Sequence, residues 1–488
     1  MFNLSRNHYL LLLVMWSGLI LAWLFGHEML KAIYDGNAYV FNRLIQGQSH
    51  VTFEEYYALY DNFIRLAVSL AVLLTLASPI LNRIFKIESQ IKPFRISDLY
   101  LFFYLSLLCL VTFYLGLQGY IDNNNWRIGD WLINYQAGFV RRGLLGEAYL
   151  WLWKATGTEP ATFVLLTQIV CYFTFFLFLG LLLRRQESLF PFLLLIVSPF
   201  IFTFHLHDLQ GGFRKEILYL ALFPLFTWIA LSTSQSVIRV TTVLILLVYP
   251  VLILTHEMLA VFLPYFLSVY IARTDRSVKT DLSIGVLLIL SVAAFYAAIT
   301  HAGSNQHVDI ICDSLSPHAV HLCKTEGAIS ALARSTEHGL NAVRDAIDNH
   351  GYFYKYATCL LLALIAFVPI AHRFSFINSN RLSSLFILSS IIGTIPLFIV
   401  AIDWGRFLHI HMVSLLVVLL INSTKHESSK SLLSRADGYI DGALSKGKVS
   451  SLILYLGILS LLVLYALSWH MPHTGMTDIW LINPATRP

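Results

Sequence analysis

Long apolar runs alternate with short polar linkers from one end of this chain to the other. A helix needs about 20 apolar residues to cross roughly 30 Å of hydrocarbon. Runs of that kind fall near 9–25, 62–82, 99–118, 161–183, 189–205, 216–231, 240–255, 258–272, 283–300, 356–371, 382–401, 407–421 and 450–468. The pattern predicts an all-α polytopic membrane protein of about 13 transmembrane helices, forming a single integral membrane domain over 1–488. The first run follows only Arg6 and has no small-residue cleavage site, so it reads as a retained signal anchor.

Two stretches depart from the pattern. Residues 119–160 mix Arg141, Arg142 and Glu147 with Phe139, Tyr149, Trp151 and Trp153 too finely to span, which predicts an amphipathic helix lying in the outer interface. Residues 301–355 form the longest polar loop, and AISALARSTEHGLNAVRDAIDN within it has helical periodicity. Elsewhere, single polar clusters interrupt apolar sequence. Residues 240–272 are nearly all apolar except for His256 and Glu257 at their centre. As a hairpin, each arm would have about 16 residues and a length of roughly 24 Å, so the turn should sit below the surface. The same reasoning applies to 382–421, where Asp403-Trp404-Gly405-Arg406 divides two apolar arms. Ionisable groups at such depth are costly and usually mark a site.

Composition agrees with a bilayer as solvent. The chain is 57% hydrophobic and 12% charged, against about 25% charged in globular proteins. Its mean hydropathy is +0.68. A cytosolic enzyme, a disordered chain and a disulfide-dense secreted module are excluded. The net charge of +5 is spread along the sequence, which argues against a nucleic-acid partner. A modest majority of the 33 Lys and Arg falls in linkers that are cytoplasmic if the N-terminus is inside. With that orientation the protein is expected in the bacterial inner membrane, and the 301–355 loop is extracytoplasmic. Cys312 and Cys323 would then lie outside, where a disulfide can form, with zinc binding as the rival.

The clusters assigned to the outer face carry the candidate chemistry. Arg141 and Arg142 offer guanidinium forks that match phosphate oxygens. In HLHDLQGGFRKE, adjacent glycines precede Arg214 and Lys215 at a helix start, a pattern suited to anion binding. Arg406 adds a fourth arginine. Glu257, Asp403, His256 and Asp130 are candidate catalytic groups, and Asp208, Trp126 and Trp404 candidate substrate contacts. All but Trp16 and Trp228 of the ten tryptophans lie toward the outer end, where some could stack on sugar rings. His205, His207 and Asp208 lack a fourth ligand, so no metal is expected. No glycine-rich phosphate loop follows a strand, so no nucleotide cofactor is expected either.

Basic groups beside apolar walls suit a polyprenyl phosphate or diphosphate, with the lipid in the bilayer and the phosphate at the interface. Carboxylates and His suit activation of an acceptor hydroxyl, Glu257 or Asp403 being the expected base. In architecture, and in NYQAGFVRRGLLGE, GGFRKE, THE and DWGRF, the chain resembles the membrane proteins of bacterial surface-polysaccharide gene clusters. These include O-antigen and capsule polymerases and the C-type superfamily of membrane glycosyltransferases. The C-type resemblance implies a catalytic acid in an outer loop, matched by Glu28 and Asp35 or by Asp122 and Asp130. The polymerase resemblance implies outer-loop arginines, which Arg141, Arg142, Arg214 and Arg406 supply. Both imply a glycosyltransferase acting on lipid-linked sugars, with other polysaccharide-assembly proteins as its expected partners. A transporter or flippase is the alternative. It would need ionisable groups near mid-membrane, where the sequence has few.

Overall fold

The computed structural model describes residues 95–275, 278–316, 326–375, 380–421 and 449–474, together with isolated positions before residue 95. The chain divides into two compact units, one of residues 1–93 with 232–234 and one of residues 94–231 with 235–488. The apolar runs at 9–25 and 62–82 lie outside the described residues apart from isolated positions, as do Asp35 and Cys323. In the smaller unit, Arg65 Nε donates to Asp61 at 2.7 Å, one helical turn away. The larger unit holds most of the described helices.

Its described residues contain helices and no strand. In chain order these are α1 (Ile96–Ile121), the single turn α2 (Gly129–Leu132), α3 (Leu144–Thr156) and α4 (Pro160–Arg184). Then come the short α5 (Leu193–Ile196), α6 (Phe204–His207) and α7 (Leu209–Gly212), followed by α8 (Ile217–Ser232), α9 (Gln235–Thr255), α10 (Leu263–Arg273) and α11 (Val278–Thr300). The loop helices α12 (Asn305–Ser314) and α13 (Thr336–His350) precede α14 (Tyr352–Phe367), α15 (Arg381–Val400), α16 (Trp404–Leu419) and α17 (Val449–Leu467). Among the described residues six helical segments are long and apolar enough to cross a membrane: α1, α4, α9, α11, α15, and α14 with its extension to Arg373. Shorter apolar helices are α8, α16 and part of α17. This is a helical membrane protein.

Start and stop signals act where the sequence supplies them. Pro160 opens α4, where a missing N–H is harmless. Ser304, Ser335 and Asn380 cap α12, α13 and α15 by accepting a backbone N–H. On α1 the exposed side chains Leu99, Phe103, Leu107 and Leu110 recur at helical spacing, as do Val240, Leu244, Leu247 and Val251 on α9. Such stripes face hydrocarbon rather than protein. α16 is the opposite case: nearly all its residues are buried, which makes it the central helix of the unit.

Polar clusters tie the helices at both ends. At one end Arg95 pairs with Asp98 at 2.8 Å, Arg184 approaches the same carboxylate at 3.5 Å, and Arg95 also donates to the Arg184 carbonyl. Nearby, Arg373 donates to Gln186 Oε1 at 2.6 Å, while the Gln186 amide donates to the Leu420 carbonyl. This end gathers the start of α1, the end of α4 and the end of α16. The ion cluster described below gathers the opposite ends.

The run 189–205 is not one helix, contrary to the sequence expectation. Phe190–Phe192 is a 3-10 turn, α5 is a single turn, and the backbone is irregular from Val197 to Thr203. Pro191 and Pro199 explain the breaks, because each lacks an N–H and restricts its neighbour. The segment still runs the length of the bundle. Gln186 lies by Arg373, the Ile196 carbonyl accepts from Tyr104, and the Phe200 carbonyl accepts from His409. Further on, His205 meets Thr112 at 2.6 Å. Irregular backbone at membrane depth is tolerated only inside protein, and Phe192, Leu195, Phe200, Ile201 and Phe202 are fully buried.

The hairpin at 240–272 is present, but its first arm is longer than the apolar run. Gln235 donates to the Arg273 carbonyl, so the two outer ends of the hairpin meet. α9 starts at Gln235 and has 21 residues, a length of about 31 Å at 1.5 Å per residue. The return arm, a 3-10 turn over Glu257–Phe262 followed by α10, keeps close to the expected length, and His256 in the turn between the arms is buried by other segments of the protein.

Candidate functional site

Five segments far apart in sequence converge around that turn. They are 126–130, 141–142, 214–216, 256–257 and 403–406. Arg142 grips Glu257 through a fork, Nε donating to both carboxylate oxygens at 3.0 Å and a terminal nitrogen to Oε1 at 2.6 Å. Arg141 stands 4.0 Å from the same carboxylate. Arg214 Nε donates to Asp130 Oδ2 at 3.2 Å, and its guanidinium lies over the Trp126 ring at 5.2 Å. Lys215 donates to the Arg142 carbonyl at 2.8 Å. Glu216 accepts from Arg406 and lies 3.4 Å from His256 Nε2. Arg406 also approaches Asp403 at 3.5 Å, and His256 Nδ1 is 3.8 Å from Glu257.

Local structure explains how these side chains are delivered. The Arg142 backbone has a φ of 69°, in the left-handed region that a non-glycine residue rarely enters. Arg141 N–H donates to the His301 carbonyl, which fixes the loop just before the turn. Downstream, a Cβ on Gly146 would lie 2.0 Å from the Ile133 carbonyl oxygen, so only glycine lets α3 pack against 132–133. Glu147 closes the same loop by accepting from the Tyr135 N–H and the Gln136 amide. The two arginines thus stand before α3, not along an amphipathic helix as the sequence implied.

The cluster has two tiers. Asp130, Lys215, Glu216, His256, Arg214 and Arg406 are buried. Arg141, Arg142 and Asp403 are 26%, 24% and 30% exposed as side chains, and Glu257 12%. Arg141, Arg142, Arg214, Lys215 and Arg406 face the carboxylates Asp130, Glu216, Glu257 and Asp403, so positive charge is in excess even with His256 neutral. Burial works to raise the Asp130 pKa, but Arg214 and Lys215 overturn it and hold the carboxyl well below the usual range. Arg406 does the same for Glu216, and Arg142 for Glu257. Burial pushes the Lys215 ammonium down to about 8, against the opposing pull of Asp130. Asp130 Oδ1, Glu216 Oε2 and both His256 nitrogens are buried without a hydrogen bond. A network left partly unsatisfied is poor stabilisation, which favours a functional reason for keeping it.

Of the residues singled out from sequence, Asp130, Arg141, Arg142, Arg214, Lys215, His256, Glu257, Asp403, Arg406 and Trp126 come together. Trp404 and Asp208 do not join them. The Trp404 indole turns away into Tyr352, Tyr356 and Phe398 and donates to the Phe398 carbonyl, so it is not displayed for stacking on a sugar. Asp208 accepts from the Gly211 N–H at 2.8 Å and from His473 Nδ1 at 2.6 Å. That use of Gly211 also corrects the free-amide anion site expected of the GGFRKE segment. At the next helix start, Ile217 and Leu218 donate to the Arg214 and Lys215 carbonyls. His205 is engaged by Thr112, and among the described residues no three His, Cys, Asp or Glu side chains group to hold a metal. Glu28 lies in the smaller unit, 3.5 Å from His27. Cys312 is disulfide-bonded.

Glu216, within the cluster, and His473, which pairs with Asp208 outside it, were missed. Glu216 follows Arg214 and Lys215 directly, and that dense charge at a helix start was the available signal. His473 sits beyond the last apolar run in WHMPHT, where no periodicity points to it. No family model, curated protein or solved structure matches this chain.

Proposed function

We propose that the protein is a membrane glycosyltransferase or polymerase that uses polyprenyl-phosphate- or diphosphate-linked sugars on the extracytoplasmic face to build a cell-surface polysaccharide. The observation that carries this reading is the cation excess of one ion cluster at the ends of lipid-facing helices. In the exposed tier, Arg141 can meet phosphate oxygens through its fork, and Arg142 through the terminal nitrogen that its fork on Glu257 leaves over. The buried tier holds the arginines in place and adds positive potential where a phosphate departs, and preorganised charge of this kind is usually a large part of catalysis. Lipid-facing stripes on α1 and α9 give the polyprenyl chain a hydrocarbon path beside the site. Glu257 and Asp403 are both held by arginines, so in this reading they aim those arginines at the phosphate rather than act as bases.

Purified protein mixed with a polyprenyl-diphosphate-linked oligosaccharide tests the proposal. Longer lipid-linked products are expected, and replacing Arg141 and Arg142 together with Ala should abolish them in variant protein whose thermal midpoint in detergent shows that it is folded. Normal products from that double variant would remove the phosphate-binding role. Movement of the unaltered lipid across liposomes, with no covalent change, would identify a transporter instead.

A further inference from the structure

The segment after α17 returns to the site end of the bundle. Trp469 and Met471 are buried, and Tyr356 donates to the Pro472 and His473 carbonyls at 3.1 Å each. Gly405 N–H donates to the His473 carbonyl at 3.2 Å, and a Cβ on Gly405 would lie 1.7 Å from the Pro472 oxygen. Only glycine permits that approach, so the chain before Arg406 is shaped to receive this strap. On its other side, a Cβ on Gly211 would lie 2.5 Å from His473 Cβ. His473 is thus fixed between Gly405, next to Arg406, and Gly211, three residues before Arg214.

Its side chain is also fixed. Asp208 Oδ2 accepts from both the His473 main-chain N–H and Nδ1, while Oδ1 accepts from Gly211. A carboxylate only accepts, so Nδ1 carries the imidazole proton and Nε2 presents a lone pair. His473 is 23% exposed and Asp208 9%. A carboxylate that holds one imidazole nitrogen and leaves the other open is the arrangement of a general base.

We infer that His473, oriented by Asp208, takes the proton from the acceptor hydroxyl in the glycosyl transfer proposed above, on which this inference rests. The hydroxyl gives its proton to His473 Nε2 as its oxygen bonds to the anomeric carbon of the donor sugar. The bond from that carbon to the phosphate oxygen breaks, and its electron pair leaves with the phosphate toward Arg141 and Arg142. The imidazolium then returns the proton to water. Asp208 is a positioning residue throughout.

The test follows transfer from the polyprenyl-diphosphate-linked oligosaccharide by wild type, H473Q, H473A and D208N. H473Q keeps the main-chain contact to Gly405, so the strap should stay folded, as the thermal midpoint in detergent will report. A fall in kcat of about 100-fold is expected for H473Q, with little change in the donor KM and loss of the acid limb of the pH profile. D208N should fall less, and added imidazole should partly rescue H473A. Wild-type kcat in H473Q, or a folded H473A that imidazole fails to rescue, overturns the assignment while leaving the glycosyltransferase reading intact. Wild-type protein that never transfers the sugar overturns both.

Discussion

Arg142 combines a left-handed backbone, a forked pair with Glu257 and a main-chain bond from Lys215. Strain at one residue persists only when its surroundings over-determine it, and such residues cluster at functional sites. Breaking one side of a largely buried pair leaves the other charge uncompensated. Glu257→Gln should therefore lower stability by about 3 kcal/mol, and Glu257→Gln with Arg142→Gln should recover part of that loss in thermal unfolding. Additive losses would mean that the fork is not energetically coupled. Lys215 gives a pH signature. Burial holds it at about 8, below the roughly 10.4 of an unfolded lysine. Between those values the unfolded chain binds more protons, so stability from this group rises with pH. The charge offered to phosphate is instead present below pH 8 and lost above it. The donor KM should thus rise several-fold between pH 7 and 9, and Lys215→Arg, which stays charged, should flatten that rise. An unchanged slope in Lys215→Arg would acquit Lys215. Sequence singled out most of these residues because charge in an apolar chain is conspicuous. It did not reveal who pairs with whom, since Asp130 and Arg214 are 84 residues apart.

At the scale of elements, apolar runs were read correctly where nothing interrupts them. α1, α4, α9, α11, α15 and α16 lie where hydropathy put them, within a few residues. The reading failed where composition and backbone chemistry disagree. The run 189–205 is apolar enough to span, yet Pro191 and Pro199 deny it a helix, and burial on all sides supplies the protection that helical bonding would have given. That segment depends on partners such as His409, whose Nδ1 donates to the Phe200 carbonyl at 2.7 Å while its ring stacks on Phe204. His409→Leu would leave a buried carbonyl unsatisfied, at a cost of about 1–3 kcal/mol. His409→Asn, which keeps a donor, should cost less than His409→Leu in detergent unfolding. Equal losses would assign the effect to packing alone. The length argument for the hairpin underestimated its first arm for a related reason. Helix α9 enlists the polar residues Gln235, Ser236 and Arg239 that hydropathy excludes, so the element is longer than its apolar core.

For the molecule as a whole, what matters is that the charged groups described in the larger unit sort to two ends. Arg95, Asp98, Arg184, Gln186 and Arg373 bind one end of α1, α4 and α16, while Asp130, Arg142, Arg214, Glu216 and Arg406 bind the other. The described parts of the loop, 301–316 and 326–350, belong to the second end: Arg141 N–H donates to the His301 carbonyl, and Ala328 N–H to the Asn125 carbonyl. Positive charge in linkers at the first end is the sequence signal on which its expected cytoplasmic placement rests, and the proposed chemistry requires the second end to face away. Two exposed positions separate the alternatives, Asp309 on α12 and Ser375 beyond Arg373. The native Cys171 and Cys359 are buried within helices and Cys109 lies on α1, so background labelling by a membrane-impermeant maleimide should be low. In intact cells Asp309→Cys should label and Ser375→Cys should label only after permeabilisation. The reverse pattern would place the arginine cluster on the cytoplasmic face, where a lipid-linked sugar awaiting polymerisation outside the cell could not reach it, and glycosyl transfer at the cell surface would have to be abandoned even though every ion pair in the cluster remained as described.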